Sequence, residues 1–481
     1  MISRQVALSS LCTVLGLHML ASSRAHAGFT SGSDGSDGAL NCAWLAKDAG
    51  FDCAANCFAN QPCEFIVDLS KARSVPGTSW ETPGGDADGD GFGDGVYDSA
   101  QWAVVYKFTT IIIPSNVSVK FKNHRSGAPV VWLAQGGIDI RGAIRVNGQD
   151  AYVSQLWPAF SEPGPGGFAG GAPADTANGR GSIGYGPGSA KRMDEGYIPA
   201  GCYEGRDVNG GVCQPQYLGN RGYGNNEIFP LIGGSGGGAE WYPPGHPPIS
   251  APRVVGGAGG GAILIASDTD IIIAQGAVIG AQGGQGIGVL LPPGGCPNDK
   301  QRAGGGSGGA IRFVAGNSIS GTGSVSAAMG WDRCYGWPGT GRVRAEAPTM
   351  DLSWVGSTEP GRTTSFVPGD VFPADDAPRL EVVSIGYDGM PPVAAPLDPD
   401  ASPGSPDIEI DTDQDSQVVI RAWNVPVSTT VKVRVIPILG NEITATSTPL
   451  QKQPDDSLRA TAQVAFPPGR SEIQLRANWT P

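Results

Sequence analysis

"GGGSGGAIRFVAGNSISGTGSVSAAMG", residues 304–330, alternates glycine clusters with short apolar runs. Two further segments align with it by inspection: "APVVWLAQGGIDIRGAIRVNGQ" from Ala128 and "GGGAILIASDTDIIIAQGAVIGAQGGQG" from Gly259. Each reads as an apolar strand, a polar break, a second strand, a small-residue turn, a third strand and then glycine. Ile138 to Ile144, Ile272 to Val278 and Ile319 to Val325 are each six residues apart. Alternation within β-branched runs is the strand signal, and "RGA", "QGA" and "GTG" supply turns. One such unit cannot cover its own apolar side and needs a stacked neighbour. The pattern therefore predicts a parallel β-helix with long loop insertions, in which glycine serves the corners through positive φ or close backbone approach. A flexible glycine spacer does not need the Ile/Val phasing. "FTTIIIPSNVSVKF" from Phe108 reads as an earlier coil and "GRVRAEA" from Gly341 as a final one.

The chain resembles a family of secreted glycine-rich bacterial proteins with predicted right-handed parallel β-helices. The likeness lies in "GVYDSAQWAVVYKF", "FKNHRSGAPVVWL", "EPGPGGFAGG", "FPLIGGSGGGAEW", "GGAGGGAILIA", "GGGSGGAIRFVA" and "GRVRAEA", spanning about Gly95 to Ala347. The resemblance implies an architecture and an extracellular address, and no catalytic residues.

The first 27 residues carry Arg4, an apolar run from Val6 to Ala21 and "AHA" before Gly28, the pattern of a secretory signal peptide. Cys12 lies inside the apolar run, which argues against a lipoprotein. Cleavage there removes Cys12 from nine cysteines, leaving eight, and with Arg4 and Arg24 lost the formal charge moves from −13 to −15. An acidic, exported chain without basic clusters argues against nucleic acid and anionic membrane surfaces, and no later apolar run is long enough to span a bilayer. In an oxidising compartment the eight cysteines favour disulfides over metal thiolates. Cys42, Cys53, Cys57 and Cys63 form a compact N-terminal set with three possible pairings. Cys202 with Cys213 and Cys296 with Cys334 are the expected pairs in the insertions.

The insertions, residues 149–255, 285–303 and 331–340, leave the repeats just after the third strand and should crowd one flank. They hold Trp157, Trp241, Tyr242, Trp331, Tyr335 and Trp337, a candidate surface for sugars or a partner's apolar side chains. The alternative for each ring is a small core that holds its loop down.

"DADGDGFGDGVYD", from Asp86 to Asp98, is the sharpest ligand signal. Asp86, Asp88 and Asp90 occupy positions 1, 3 and 5 of a calcium loop, Gly91 the turn, the Phe92 carbonyl position 7 and Asp94 position 9. Tyr97 stands where an EF-hand has its bidentate glutamate, so the loop resembles those of extracellular modules and calcium is expected in a structural role. A solvated acidic linker is the alternative.

"GGSGG" at 233–237 and 305–309 matches a nucleophile elbow, as polyglycine does by chance, and only His124 and His246 remain as bases. The enzyme alternative is a polysaccharide lyase using Arg141, Arg145, Arg312, Arg342 or Arg344 beside a calcium-bound uronate. Against it, no carboxylates recur in register beside those arginines, and fold does not imply function.

The expected organisation is a signal peptide (1–27), a Cys-rich cap with the acidic loop (28–100), the glycine-rich β-helix (101–365), a Pro-rich linker (366–378) and a C-terminal immunoglobulin- or fibronectin-like β-sandwich (379–481). The functional expectation is a secreted or cell-surface structural, adhesion-type protein presenting the loop flank to glycans or protein partners.

Overall fold

A computed structural model describes residues 28–47, 57, 63–75, 77–86, 88–154, 159–173, 181–189, 223–239, 253–286, 303–331, 338–352, 361–374, 376–386, 393–394, 415–438 and 442–479. The chain is nearly all β. Its N-terminal strands are β1 (Cys63–Asp68), β2 (Val96–Asp98), β3 (Ala103–Phe108), β4 (Ile111–Ile113), β5 (Val117–Lys122), β6 (Val130–Ala134), β7 (Ile138–Ile140) and β8 (Ala143–Arg145). A two-residue ribbon, β9 (Val153–Ser154) with β10 (Arg253–Val254), closes the first insertion. There follow β11 (Ala262–Ser267), β12 (Asp270–Ile273), β13 (Val278–Gly280), β14 (Ala310–Ala315), β15 (Ser318–Gly321), β16 (Ser324–Ser326), β17 (Arg342–Glu346), β18 (Thr349–Leu352) and β19 (Arg362–Ser365).

Successive strands return to the same three sheets, in the orders β1-β5-β8-β13-β16, β19-β17-β14-β11-β6-β3-β2 and β18-β15-β12-β7-β4. Pairing is parallel throughout these sheets except between β2 and β3. Each circuit places like residues over like. Tyr106, Trp132, Ile265, Phe313 and Ala345 are successive partners on one inner column, and Ile111, Ile138, Ile271, Ile319 and Met350 on another. All join one core, which the short helix α1 (Cys42–Leu45) closes by setting Trp44 edge-on to Tyr106 and Phe108.

The register corrects one part of the sequence alignment. Ile271, not Ile272, partners Ile138 and Ile319, and Ile279, not Val278, partners Ile144 and Val325. The middle circuit has a turn two residues longer, with Gly276 at φ 87°, so the equal spacing picked residues of the opposite face. Ile272 accordingly points outward and is 44% exposed.

β3, β6, β11 and β14 are buried on both faces, which is why they read as continuous apolar runs. Their outer side chains, among them Val105, Val131, Leu264 and Val314, are covered by Phe29, Trp80, Leu231, Val371 and Phe372. Residues 366–372, expected as a plain linker, are thus partly docked: Phe372 packs on Trp80 and the Gly369 amide donates to Glu346. Residues 28–40 form a strap across the circuits. Ser31 donates to the Ala134 carbonyl (3.0 Å) and its amide to Asp268 (2.5 Å), Ser33 donates to the Phe108 carbonyl (2.7 Å), and Leu40 bridges to Ile111.

The glycine clusters are not corners. None of residues 256–261 or 304–309 has a positive φ. Along 256–261 the amides donate in rotation to three different neighbours: Gly256 and Gly259 to the carbonyls of Gly171 and Phe168, Gly257 and Gly260 to those of Gly304 and Ser307, Ala258 and Gly261 to those of Gln149 and Val146. A three-residue period without internal bonds is that of a polyproline-II-type chain. Neighbouring runs at 233–239, 281–286, 303–309 and 327–330 continue the same lattice. Glycine is required because the backbones touch: a Cβ on Gly259 would lie 1.8 Å from the Gly234 carbonyl oxygen, and one on Gly309 1.8 Å from that of Gly261.

The C-terminal strands are β20 (Arg379–Gly386), β21 (Val393–Ala394), β22 (Ser416–Trp423), β23 (Val431–Pro437), β24 (Ile443–Thr446), β25 (Gln451–Lys452), β26 (Leu458–Val464) and β27 (Ser471–Ala477). They form two antiparallel sheets, β21-β20-β22-β26-β25 and β24-β23-β27, around one core. Residues 395–414 of the expected β-sandwich lie outside the described residues.

Candidate functional site

The acidic loop hangs from a neck beside the strap. The Asp94 amide donates to the Gly85 carbonyl (2.9 Å), and the Asp37 carboxylate is seated between Gly84 and Gly93, where any Cβ would collide with it. Asp37 accepts from the amides of Lys107 (2.6 Å) and Gly95 (3.1 Å). Burial pushes its carboxyl up to about 6, against those two amides and the Lys107 charge. Within the loop, Gly89 and Gly91 take positive φ, and Asp86 accepts from the amides of Gly89, Asp90 and Gly91.

The loop brings one oxygen each from Asp86, Asp88 and Asp94 within 4.8 Å of one another. Asp90 stands apart from that group. One of its oxygens takes the Phe92 amide and the other faces Lys47 at 3.2 Å. The Lys47 ammonium also holds Asp94 at 2.9 Å; burial disfavours its charge, but Asp94 and Asp90 outweigh that and raise its pKa. Lys71 pairs with Asp88 at 2.9 Å and holds that carboxyl below its usual range. Phe92 is half-buried against the core. The donor set is all oxygen, as a hard cation requires, and Lys47 would have to yield Asp94 to it.

Of the arginines considered for lyase chemistry, Arg312 and Arg344 are register partners that converge on Glu346, whereas Arg141 and Arg145 lie apart from them. Arg141 is exposed and pairs with Asp139, two positions along the same segment; Arg145 lies on a different sheet. Arg312, 1% exposed, donates through Nε to Glu346 (2.8 Å), which also accepts from Arg344 (2.7 Å) and the Gly369 amide (2.7 Å). The Phe229 ring caps the Arg312 guanidinium at 4.2 Å. Burial would push Glu346 up, but Arg312 and Arg344 hold it below the usual carboxylate range. Arg342 is buried and donates to Asn226.

Ser235 and Ser307 of the "GGSGG" matches are buried in the glycine lattice and bonded to each other, since the Ser235 amide donates to Ser307 Oγ (2.8 Å). His124 is buried, stacked on Tyr97 with centroids 4.3 Å apart, and within hydrogen-bond reach of Ser74 and Ser126. Burial, with Arg125 nearby, lowers its pKa to about 4, so it is neutral at ordinary pH. His246 lies outside the described residues.

The glycine lattice has two ends. One joins the sheets through β8, β11, β13, β14, β16 and β17. At the other, the residues flanking 155–158, 174–180, 240–252, 287–302 and 332–337 come together: Val153 pairs with Val254, Ala239 donates to Ser182, Gly304 to Gly238, Ala151 to Gln285 and Gly286 to Trp331. Trp331, 45% exposed, stands at this distal edge. Trp157, Trp241, Tyr242, Tyr335 and Trp337 fall in the intervening stretches and lie outside the described residues, as do Cys53, Cys202, Cys213, Cys296 and Cys334. Cys57 is bonded to Cys63, and Cys42 is also in a disulfide. Among the described residues no helix is long and apolar enough to cross a membrane.

The lattice and the strap were missed in sequence reasoning. The strap's "SGSDGSDG" has no apolar pattern, and no local signal names partners 48 to 237 positions away. No protein family's sequence profile matches the chain, and no curated protein or solved structure is similar to it.

Proposed function

We propose that this is a secreted or cell-surface structural protein of adhesion type: a parallel β-helix, followed by an immunoglobulin- or fibronectin-like β-sandwich, that presents the loop flank to glycans or protein partners. The observation that supports this reading best is the distal edge, where the flanks of five separate stretches meet on a backbone lattice hydrogen-bonded in three directions. A lattice that spends its amides on neighbouring chains is stiff, and stiffness lowers the cost of holding a binding surface ready. The burial of Arg312 against Glu346 and Phe229 favours display over the lyase alternative.

The reading includes a structural calcium ion in the acidic loop, with Asp86, Asp88 and Asp94 as its side-chain ligands, Asp90 joining if Lys47 moves away, and the Phe92 carbonyl completing the loop pattern. Two measurements test it. Exported, processed protein should bind a subset of a glycan or surface-protein array, and Trp331→Ala should weaken that binding. Silence of the intact protein on every array, together with release of unsaturated uronate products, would replace display with lyase activity. Calcium titration followed by calorimetry should give a site of extracellular grade, with Kd between about 10⁻⁴ and 10⁻³ M, that Asp86→Asn abolishes.

A further inference from the structure

A second surface lies on the C-terminal unit. On the outer face of its five-stranded sheet, Glu381, Arg421, Arg459 and Gln451 are successive cross-strand partners on four adjacent strands. The even-numbered positions Ile420, Ala422, Leu458 and Ala460 fill the core, so this row faces outward. Arg421 and Arg459 are directly opposite each other, about 5 Å apart along the pairing direction. Like charges so placed are destabilising, and they stand out on a chain of formal charge −13.

The arginines are held in place rather than neutralised. Trp423 lies under the Arg379 guanidinium at 4.0 Å and near that of Arg421 at 5.5 Å. One carboxylate, Glu381, serves both Arg379 (3.2 Å) and Arg421 (3.7 Å). Asp455 also lies near Arg421, and the Ser457 hydroxyl, by donating to it, keeps it ionised there. Arg421 Nε is shielded from water and has no hydrogen-bond partner, and exposed Arg459 has no ion-pair partner among the described residues. Beside the pair on the same face stand Gln451, Thr461 and Gln463.

We propose that this face binds an acidic polysaccharide, with carboxylates of neighbouring sugar units on Arg421 and Arg459 and sugar hydroxyls on Gln451, Thr461 and Gln463. Planar guanidinium forks match carboxylates bidentately. An acidic peptide fits less well, because the row has charge and amides but no apolar pocket to anchor side chains.

The test uses the full processed chain and purified alginate as the probe, with heparin, poly-glutamate and neutral dextran as comparisons. Alginate should bind and weaken as salt rises, and dextran should not bind. Arg421→Gln and Arg459→Gln should each lower alginate affinity about tenfold, the loss of one charge-assisted bond pair. Lys432→Gln, the same charge change on the other sheet, should leave it unchanged. Arg459→Gln removes no hydrogen bond or ion pair among the described residues and relieves the repulsion with Arg421, so its melting temperature should equal or exceed the parent's. Absence of alginate binding, an equal loss with Lys432→Gln, or equal affinity for poly-glutamate would overturn the proposal, whereas heparin, itself an acidic polysaccharide, should bind and weaken with salt as alginate does.

Discussion

At Gly259 one methyl group decides whether two backbones can touch. An added Cβ would sit 1.8 Å from the Gly234 carbonyl oxygen, and neither atom is the free end of a side chain that can swing away. Gly137 is the contrast: it lacks a positive φ, and its nearest neighbour to an added Cβ is Thr269 Oγ1 at 4.0 Å. Gly259→Ala should therefore cost more than about 3 kcal/mol or prevent folding, whereas Gly137→Ala should be neutral or gain up to about 1 kcal/mol by restricting the unfolded chain. Urea unfolding midpoints would separate them, and similar midpoints would show that the lattice is looser than its hydrogen bonds indicate. The sequence announces that glycine is needed here but not for which reason. A three-residue backbone period has no side chains to display it, whereas the two-residue period of the isoleucine columns is written in Ile and Val. Even that signal slipped at Ile272, where both Ile271 and Ile272 satisfy a hydrophobic pattern and only the neighbouring circuits decide between them.

Among the elements, the strap at 28–40 is the least legible and the most consequential for pH. Its small and acidic residues suit a linker, yet they place hydroxyls and carboxylates against carbonyls and amides of successive circuits. Asp37 is the buried anchor. Its carboxyl titrates near 6 in the fold and near 3.8 when unfolded, so between these values the folded chain keeps a proton that the unfolded chain has lost. Its contribution to stability must then fall as pH rises from about 4 to about 6 and stay flat above, a change of about 3 kcal/mol. Asp37→Asn should remove that slope, and the difference between the two proteins isolates Asp37 from every other titrating group. Denaturation across this range in the presence of a chelator checks it. Parallel curves would mean that the Lys107 and Gly95 amides, which favour the ionised form, prevail over burial. The acidic loop was legible from its spacing alone, but Lys47 was not, because it comes from residues far earlier in the chain.

The whole molecule is held together where the C-terminal unit meets the first insertion. Arg434, 8% exposed on β23, donates to the carbonyls of Gly186 (3.1 Å) and Ser189 (3.1 Å) and to Ser189 Oγ (2.8 Å), while Glu442 and Gln474 hold it from its own side. Glu472 accepts the Gly186 amide, and Ile436 packs with Ile183 and Tyr185. Residues 183–189 are thus a docking face, which explains why an insertion that sequence alone reads as free loop contains a buried isoleucine and tyrosine. One guanidinium bonded to both sides makes the joint sensitive, because removing it strands several buried carbonyls. Arg434→Met keeps the apolar stem and deletes the bonds. Calorimetry should then show the C-terminal unit melting separately and earlier, and a protease should cut faster between residues 366 and 378 while both cores stay folded. Unchanged melting and cleavage would place the joint in the Ile436 contact instead, and Ile436→Ala would then be the variant that releases it.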